Sequence, residues 1–288
     1  MGTINIEKTA SSALSDATFK NIAGWIEREC GIALNDTKKY LIQTRLAPII
    51  AHLGCDSFDS FYRAVAASND PKLRARIIDA ITTNETLWFR DASLWKFIEE
   101  QLLADLAKRR ESKVRVWSVA CSTGQEIFSF CMLLDRLAMG NPSIRNLQNR
   151  LECVATDISP NVLSAAERGK YSRLEMSRGL TPDYKASYFD ADRLFSTLKP
   201  QIRDKVSFSQ LNLQDNFRNL GMFDVIMCRN VTIYFSKEFR QDLLTRMERN
   251  LKPGGLLILG SSESLLGYQT ILKRPSFGPA CIYQKDMK

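Results

Sequence analysis

The chain has 288 residues, 44% of them hydrophobic and 25% charged, and carries a net charge of +8. That length accommodates one large or two modest domains around a substantial core, and the composition is that of a globular chain rather than a disordered one. No apolar run approaches the ~18 residues of a membrane span, and seven scattered cysteines without a C-x-x-C read as reduced thiols, not as a disulfide frame or a zinc site.

A single histidine, His52, argues against a histidine metal centre or a Ser-His-Asp triad, so no metal is expected. The positive balance suits an acidic partner, nucleic acid among the candidates, but its dispersal along the chain favours a solvated basic surface. The opening stretch, MGTINIEKTASSALSDA, lacks the basic-then-apolar order of a secretory signal, and Ile6 fails the myristoylation pattern.

Residues 16 to about 80 read as helices joined by short turns. Phe19, Ile22, Ile26 and Cys30 recur at helical spacing and Gly31 follows as a stop. A second helix opens near Asn35-Asp36-Thr37, buries Ile42, Leu46, Ile49 and Leu53, and ends at Gly54, with Pro48 expected to kink or break it. Lys38, Arg45 and His52, seven apart, line one edge of that face; they form either an ordinary solvated edge or a cationic landing strip for an acidic partner. Further helices are expected around Phe58–Ala67 and Pro71–Ile81. No catalytic group stands out in residues 1–82, taken as an all-α N-terminal domain.

The segment 82–91, TTNETLWFRD, interleaves Asn84, Thr86 and Arg90 with Leu87, Trp88 and Phe89. It reads as an amphipathic linker or as a pocket lining. An amphipathic helix over Ser93–Arg110 follows. Val114-Arg115-Val116-Trp117 then starts a strand that passes through Ala120, Ser122, Thr123 and Gly124 into a helix carrying Ile127, Phe128, Cys131, Met132 and Leu134. Strand, small-residue turn, helix is the geometry of a nucleotide-binding βα unit, in which Gly124 is free to take a positive φ. Ala120 and Ser122 stand where a dinucleotide fingerprint has glycines, and the turn resembles the relaxed one of S-adenosylmethionine-dependent methyltransferases.

After a polar loop or short helix at 141–149, a second strand, Leu151–Thr156, ends in Asp157. A carboxylate there accepts ribose hydroxyls in such folds, whereas the following Ile158-Ser159-Pro160 makes helix capping the alternative. Residues 172–205 break the βα rhythm with short segments at Ser187–Phe189, Leu194–Leu198 and Gln201–Arg203, read as a small antiparallel insertion. Parallel strands resume at Val206–Leu211, ending at Asn212-Leu213, and at Met222–Asn230, whose Arg229 and Asn230 occupy a ligand-facing strand end. A helix over Lys237–Leu251, a Lys252-Pro253-Gly254-Gly255 turn, a strand at Leu256–Leu259 and an antiparallel return strand at Ala280–Gln284 complete an order that is similar to class I methyltransferases.

Three separated motifs, N-E-T-L-W-F-R-D at 84–91, W-S-V-A-C-S-T-G-Q-E at 117–126 and C-R-N-V-T-I-Y-F at 228–235, together resemble the CheR family, the bacterial chemotaxis receptor glutamate O-methyltransferases. The resemblance runs from about residue 16 to 284. It implies an α/β fold: a Rossmann-like S-adenosylmethionine-dependent methyltransferase domain over 83–288, carrying the β insertion and preceded by the helical domain, which would dock the receptor. It also implies S-adenosylmethionine as cofactor, S-adenosylhomocysteine as product, and glutamates of the cytoplasmic helical domain of chemoreceptors as substrate. The expected enzyme is a cytoplasmic monomer that neither enters the membrane nor binds nucleic acid. Asn84, Thr86, Arg90, Ala120, Glu126, Asp157, Asn212, Leu213, Arg229 and Asn230 would line the cofactor site, with Arg90 and Tyr234 nearest the transferred methyl. Trp88 and Gln125 depart from the family's usual phenylalanine and acidic residue. The insertion has no glycine between Leu180 and Asn212, where relatives that grip a receptor's C-terminal tail have a glycine-bearing loop, which counts against tethering. The rival readings are a methyltransferase of another substrate and a non-catalytic S-adenosylmethionine-binding regulator or adaptor.

Overall fold

The structure, a computed structural model, describes Leu14–Met287, and the readings made on residues 1–13 lie outside the described residues. The chain forms two compact units. One takes the described residues up to Thr83 together with Tyr234–Phe239; the other takes Asn84–Ile233 and the chain from Arg240 onward.

The first unit is helical. Helix α1 (Asp16–Cys30) is capped by the Ser15 hydroxyl, which accepts from the Thr18 amide at 3.1 Å, and it ends at Gly31 with φ +77°. A side chain at Gly31 would also run into the ring of Phe239, so both conformation and space call for glycine there. Helices α2 (Lys39–His52), α3 (Phe58–Ala67) and α4 (Pro71–Ile81) follow, with Phe19, Ile26, Ile42, Leu46, Phe61 and Ile77 buried between them. Pro48 does not break α2. Thr44, whose carbonyl loses its amide donor to the proline, is exposed, so water can satisfy the freed oxygen. The basic stripe is not continuous either: Lys38 lies in the 3₁₀ turn Asp36–Lys38 ahead of α2. The Arg45 guanidinium donates to the Ile81 and Thr82 carbonyls at 2.6 and 2.9 Å and to the Thr83 hydroxyl at 3.1 Å, capping α4 from outside.

The second unit opens with α5 (Ala92–Phe97), which continues through a π turn at Ile98–Leu102 into α6 (Leu103–Lys108). Strand β1 (Val114–Val119) leads into α7 (Gln125–Gly140), followed by α8 (Pro142–Asn149), β2 (Leu151–Asp157) and α9 (Pro160–Arg168). The insertion comprises β3 (Lys170–Ser172), α10 (Arg173–Ser177), α11 (Pro182–Tyr188), β4 (Phe189–Ala191), β5 (Phe195–Leu198) and α12 (Pro200–Arg203). Its three strands form an antiparallel sheet in the order β3-β5-β4. Gln201–Arg203 is therefore helical and not a strand: Pro200, with its fixed φ and no amide proton, starts the turn at a helix's first position.

Strands β6 (Val206–Gln210), β7 (Phe223–Cys228) and β8 (Leu251–Leu259), the last preceded by α13 (Lys237–Asn250), and β9 (Ile282–Gln284) complete the main sheet. Its order is β6-β2-β1-β7-β8-β9, parallel except for β9, which runs antiparallel to β8. The expected Lys252–Gly255 turn is a loop-out within β8, since partners jump from Phe223↔Leu251 to Val225↔Leu256. At the amino end of β7, Asp224 is fully buried and accepts from the Arg109 guanidinium and the Lys252 ammonium, each at 2.7 Å, and from the Arg115 amide at 2.8 Å. This cluster pins three strands at the end of the sheet away from the strand carboxyl ends, leaving those ends to form a site.

Candidate active site

The carboxyl ends of β1, β2 and β7 converge because these strands are adjacent and parallel. The chain leaving β1 is strained: Ala120 and Ser122 both hold φ +51°, and Gly124 holds φ +90°. A Cβ at Gly124 would stand 2.7 Å from the Phe128 ring, so only glycine lets the turn close onto α7. Phe89, Asp91 and Asn230 also have positive φ; with Ala120 and Ser122 they are the non-glycine residues of this kind among the described residues. All five lie within the three motif segments. Backbone held in this region costs of order 1–3 kcal/mol per residue and persists where surroundings impose it, most often at ligand sites.

Hydrogen bonds impose it here. The Ser122 amide donates to Asp157 Oδ2 at 2.8 Å, and the Ser122 hydroxyl donates to the Asn84 carbonyl at 2.8 Å. Asp157 is 5% exposed and its Oδ1 accepts from the Ser159 amide at 3.0 Å, so it does cap α9 while also staking the turn after β1. A carboxylate oxygen can accept more than one hydrogen bond, which is the chemistry a pair of ribose hydroxyls calls for. The Leu211 amide donates to the Asp157 carbonyl at 2.9 Å, which brings Asn212 and the buried Leu213 to the same end of the sheet.

Glu126 and Arg229 meet. Glu126 Oε1 accepts from the Ser118 hydroxyl and Oε2 from Arg229 Nη1, both at 2.8 Å. Arg229 Nη2 donates to Asp91 Oδ2 at 2.6 Å and to the Arg90 carbonyl at 2.8 Å. Burial opposes the charge on Arg229, but the Glu126 and Asp91 carboxylates outweigh it and raise its pKa above the usual arginine value. Its Nε is buried and has no partner among the described residues.

The segment 84–91 is gripped from several sides. Trp88 is fully buried against Tyr171 and Phe189, with ring centroids 4.8 and 5.4 Å away, and Phe89 packs on Tyr184 at 4.6 Å. The Trp88 amide donates to the Arg178 carbonyl at 3.2 Å, and Gly179 lies so close to the Trp88 carbonyl that no side chain fits there. Trp88 thus serves as the peg on which the insertion rests, and its neighbour Thr86 is half-buried. The half-buried Arg90 guanidinium forms no ion pair or hydrogen bond among the described residues. Tyr234 belongs to the other unit, at the end of the 3₁₀ turn Thr232–Tyr234, where its carbonyl accepts from the Ala33 amide at 2.8 Å.

Two residues absent from the sequence reading of the site organise it. Asp91 pairs with Arg229, and Glu263 accepts from the loop that carries Asn230. Asp91 lies within the motif at 84–91, whereas no signal in the sequence marks Glu263. The polar groups suit S-adenosylmethionine: the Asp157 carboxylate is an acceptor for hydroxyls, and the Arg90 guanidinium is a donor for a carboxylate. The thiols nearby are inert, since burial pushes the pKa of Cys121 and Cys228 well above the usual thiol value.

The family pattern described as "CheR methyltransferase, SAM binding domain" matches residues 84–277, and "CheR methyltransferase, all-alpha domain" matches 17–82. The chain is similar to chemotaxis protein methyltransferase 1 of Pseudomonas aeruginosa, 39% identical over 94% of this chain and 98% of the relative. It is 36% identical to chemotaxis protein methyltransferase Cher2 of Pseudomonas putida over 92% and 97% of the two chains. To the chemotaxis protein methyltransferase of Escherichia coli it is 34% identical over 90% and 88%. With both domain patterns in order and relatives matched nearly end to end, this chain belongs to the CheR methyltransferase family.

Proposed function

We propose that this protein transfers a methyl group from S-adenosylmethionine to glutamate side chains of chemoreceptors, forming methyl esters for chemosensory adaptation. It would act in the cytoplasm, as a monomer, on the receptors' helical cytoplasmic domain. The observation that carries the reading is the gathering of strained backbone at the ends of β1 and β7 and along 84–91, in a domain whose family binds this cofactor. Asn84, Thr86, Ala120, Asp157, Asn212, Leu213 and Asn230 are proposed to line the cofactor, with Glu126 and Arg229 supporting it from beneath.

When bound, the cofactor supplies an electrophilic methyl on a positively charged sulfur. A glutamate carboxylate is ionised at neutral pH, so the chain needs no general base. Its residues need only orient the nucleophile and strip part of its water. Arg90 carries an uncommitted guanidinium beside apolar Leu87 and Phe89, and an arginine in such company favours an anionic partner. Either the incoming glutamate or the cofactor's own carboxylate can be that anion. The Tyr234 hydroxyl is assigned to the substrate on its motif alone.

Incubation with methyl-labelled S-adenosylmethionine and receptor-containing membranes tests the reading, with base-labile label in the receptor band as the expected result. Protein that binds the cofactor but labels no receptor would make the chain a regulator or adaptor.

A further inference from the structure

Glu263 lies in the loop after β8, is 8% exposed, and has four donors on its carboxylate. Oε2 accepts from the Asn230 and Gly260 amides, each at 2.7 Å. Oε1 accepts from the Thr232 amide at 2.9 Å and the Thr232 hydroxyl at 2.6 Å. One side chain therefore ties the loop after β7 to the loop after β8. Asn230 is held at φ +59°, and its carboxamide lies so near Gly260 that a Cβ there would meet Asn230 Nδ2 at 2.7 Å. A cavity lined by Thr232, Leu243, Leu257, Glu263 and Tyr268 opens beside the carboxylate, so on that side Glu263 is held by its hydrogen bonds.

We propose that Glu263 is a positioning residue: it holds Asn230 in its left-handed conformation and so aims the Asn230 side chain at the cofactor. The proposal rests on the reading of Asn230 as a cofactor residue. Only a carboxylate suits the place. Both of its oxygens face N–H donors, so a glutamine would turn its own NH₂ on amide protons in either orientation.

The test compares Glu263→Gln, Asn230→Ala and the double variant. S-adenosylmethionine affinity is measured by calorimetry, and KM and kcat with receptor membranes. Glu263→Gln should raise the cofactor Kd and KM roughly tenfold, the size of one lost charged hydrogen bond, with a much smaller change in kcat at saturation. The double variant should bind no worse than Asn230→Ala alone. Glu263→Asp, which keeps the charge, should recover part of the loss. If Glu263→Gln fails to fold, Thr232→Val and Glu263→Asp carry the same comparison, with a smaller rise in KM expected. A lowered melting temperature with unchanged cofactor affinity would overturn the proposal, as would losses that add in the double variant or an Asn230→Ala without effect. Wild-type protein that does not bind S-adenosylmethionine would instead sink the functional reading.

Discussion

Replacing Arg229 with methionine is the sharpest perturbation of the site. The change keeps much of the side chain's length but removes the cation that Asp91 and Glu126 share. The arginine side chain is 2% exposed and the two carboxylates 26% and 14%, so both acids would be left poorly solvated. Breaking a fully buried pair costs about 3–5 kcal/mol; the partial exposure of the acids puts this case near ~3 kcal/mol. For a domain of this size that is a fall in melting temperature of about 6–12 °C. Thermal unfolding followed by circular dichroism measures it, and Glu126→Gln supplies the control. Removing the Glu126 charge should be costly in the wild type and nearly free, or even favourable, once Arg229 is gone. A shift under about 2 °C, or strictly additive losses, would refute the account of Arg229 as the centre of a coupled triad.

Arg90→Ala should lower kcat at saturating cofactor on the order of 100-fold if Arg90 orients the glutamate; steady-state kinetics showing only a raised cofactor KM would assign it to the cofactor. Tyr234→Phe, which removes one hydroxyl, should give a smaller fall in kcat, and unchanged turnover would release Tyr234 from the chemistry. Asp157→Asn should weaken S-adenosylmethionine binding by roughly 1.5–3 kcal/mol, the scale of a hydrogen bond to a charged group; calorimetry giving unchanged affinity in folded protein leaves Asp157 the structural role of holding the turn after β1 and capping α9. Ala120→Gly should stabilise by about 0.5 kcal/mol, because relief of a left-handed alanine outweighs the added freedom of the unfolded chain; a lowered melting temperature would show that the turn is not strained.

Those variants separate what the sequence makes legible from what it hides. β1, β2 and β7 are readable because parallel strands buried on both faces are mostly apolar runs, as in Phe223–Cys228, buried at every position and apolar at all but Asp224. Gly31 and Gly124 are readable as turn residues for the same local reason. Asp91 and Glu263 are not, because their roles exist only after folding. Asp91 meets a guanidinium 138 residues away, and Glu263 serves amides on a loop 33 residues earlier. Arg45 is the converse case. Heptad spacing placed it on a basic edge, but its guanidinium turns to the end of α4, a partner that spacing along α2 cannot reveal. Lys38 and Arg45 are for that reason unequal probes of receptor docking, since altering Arg45 also uncaps a helix.

The segment Tyr234–Phe239 has a consequence for biosynthesis. Ile32 pairs with Phe235, the Ala33 amide needs the Tyr234 carbonyl, and Gly31 lies against Phe239, so the helical unit borrows a strip of chain made much later. The whole stretch Asn84–Ile233 is synthesised before that strip leaves the ribosome. At ~5–20 residues per second the helices wait on the order of ten seconds or more for their last piece. During that interval Ile32 and its neighbours lack their permanent cover. A nascent chain arrested just before Tyr234 should therefore be cleaved by protease around Cys30–Ala33, and one arrested well past Phe239 should resist.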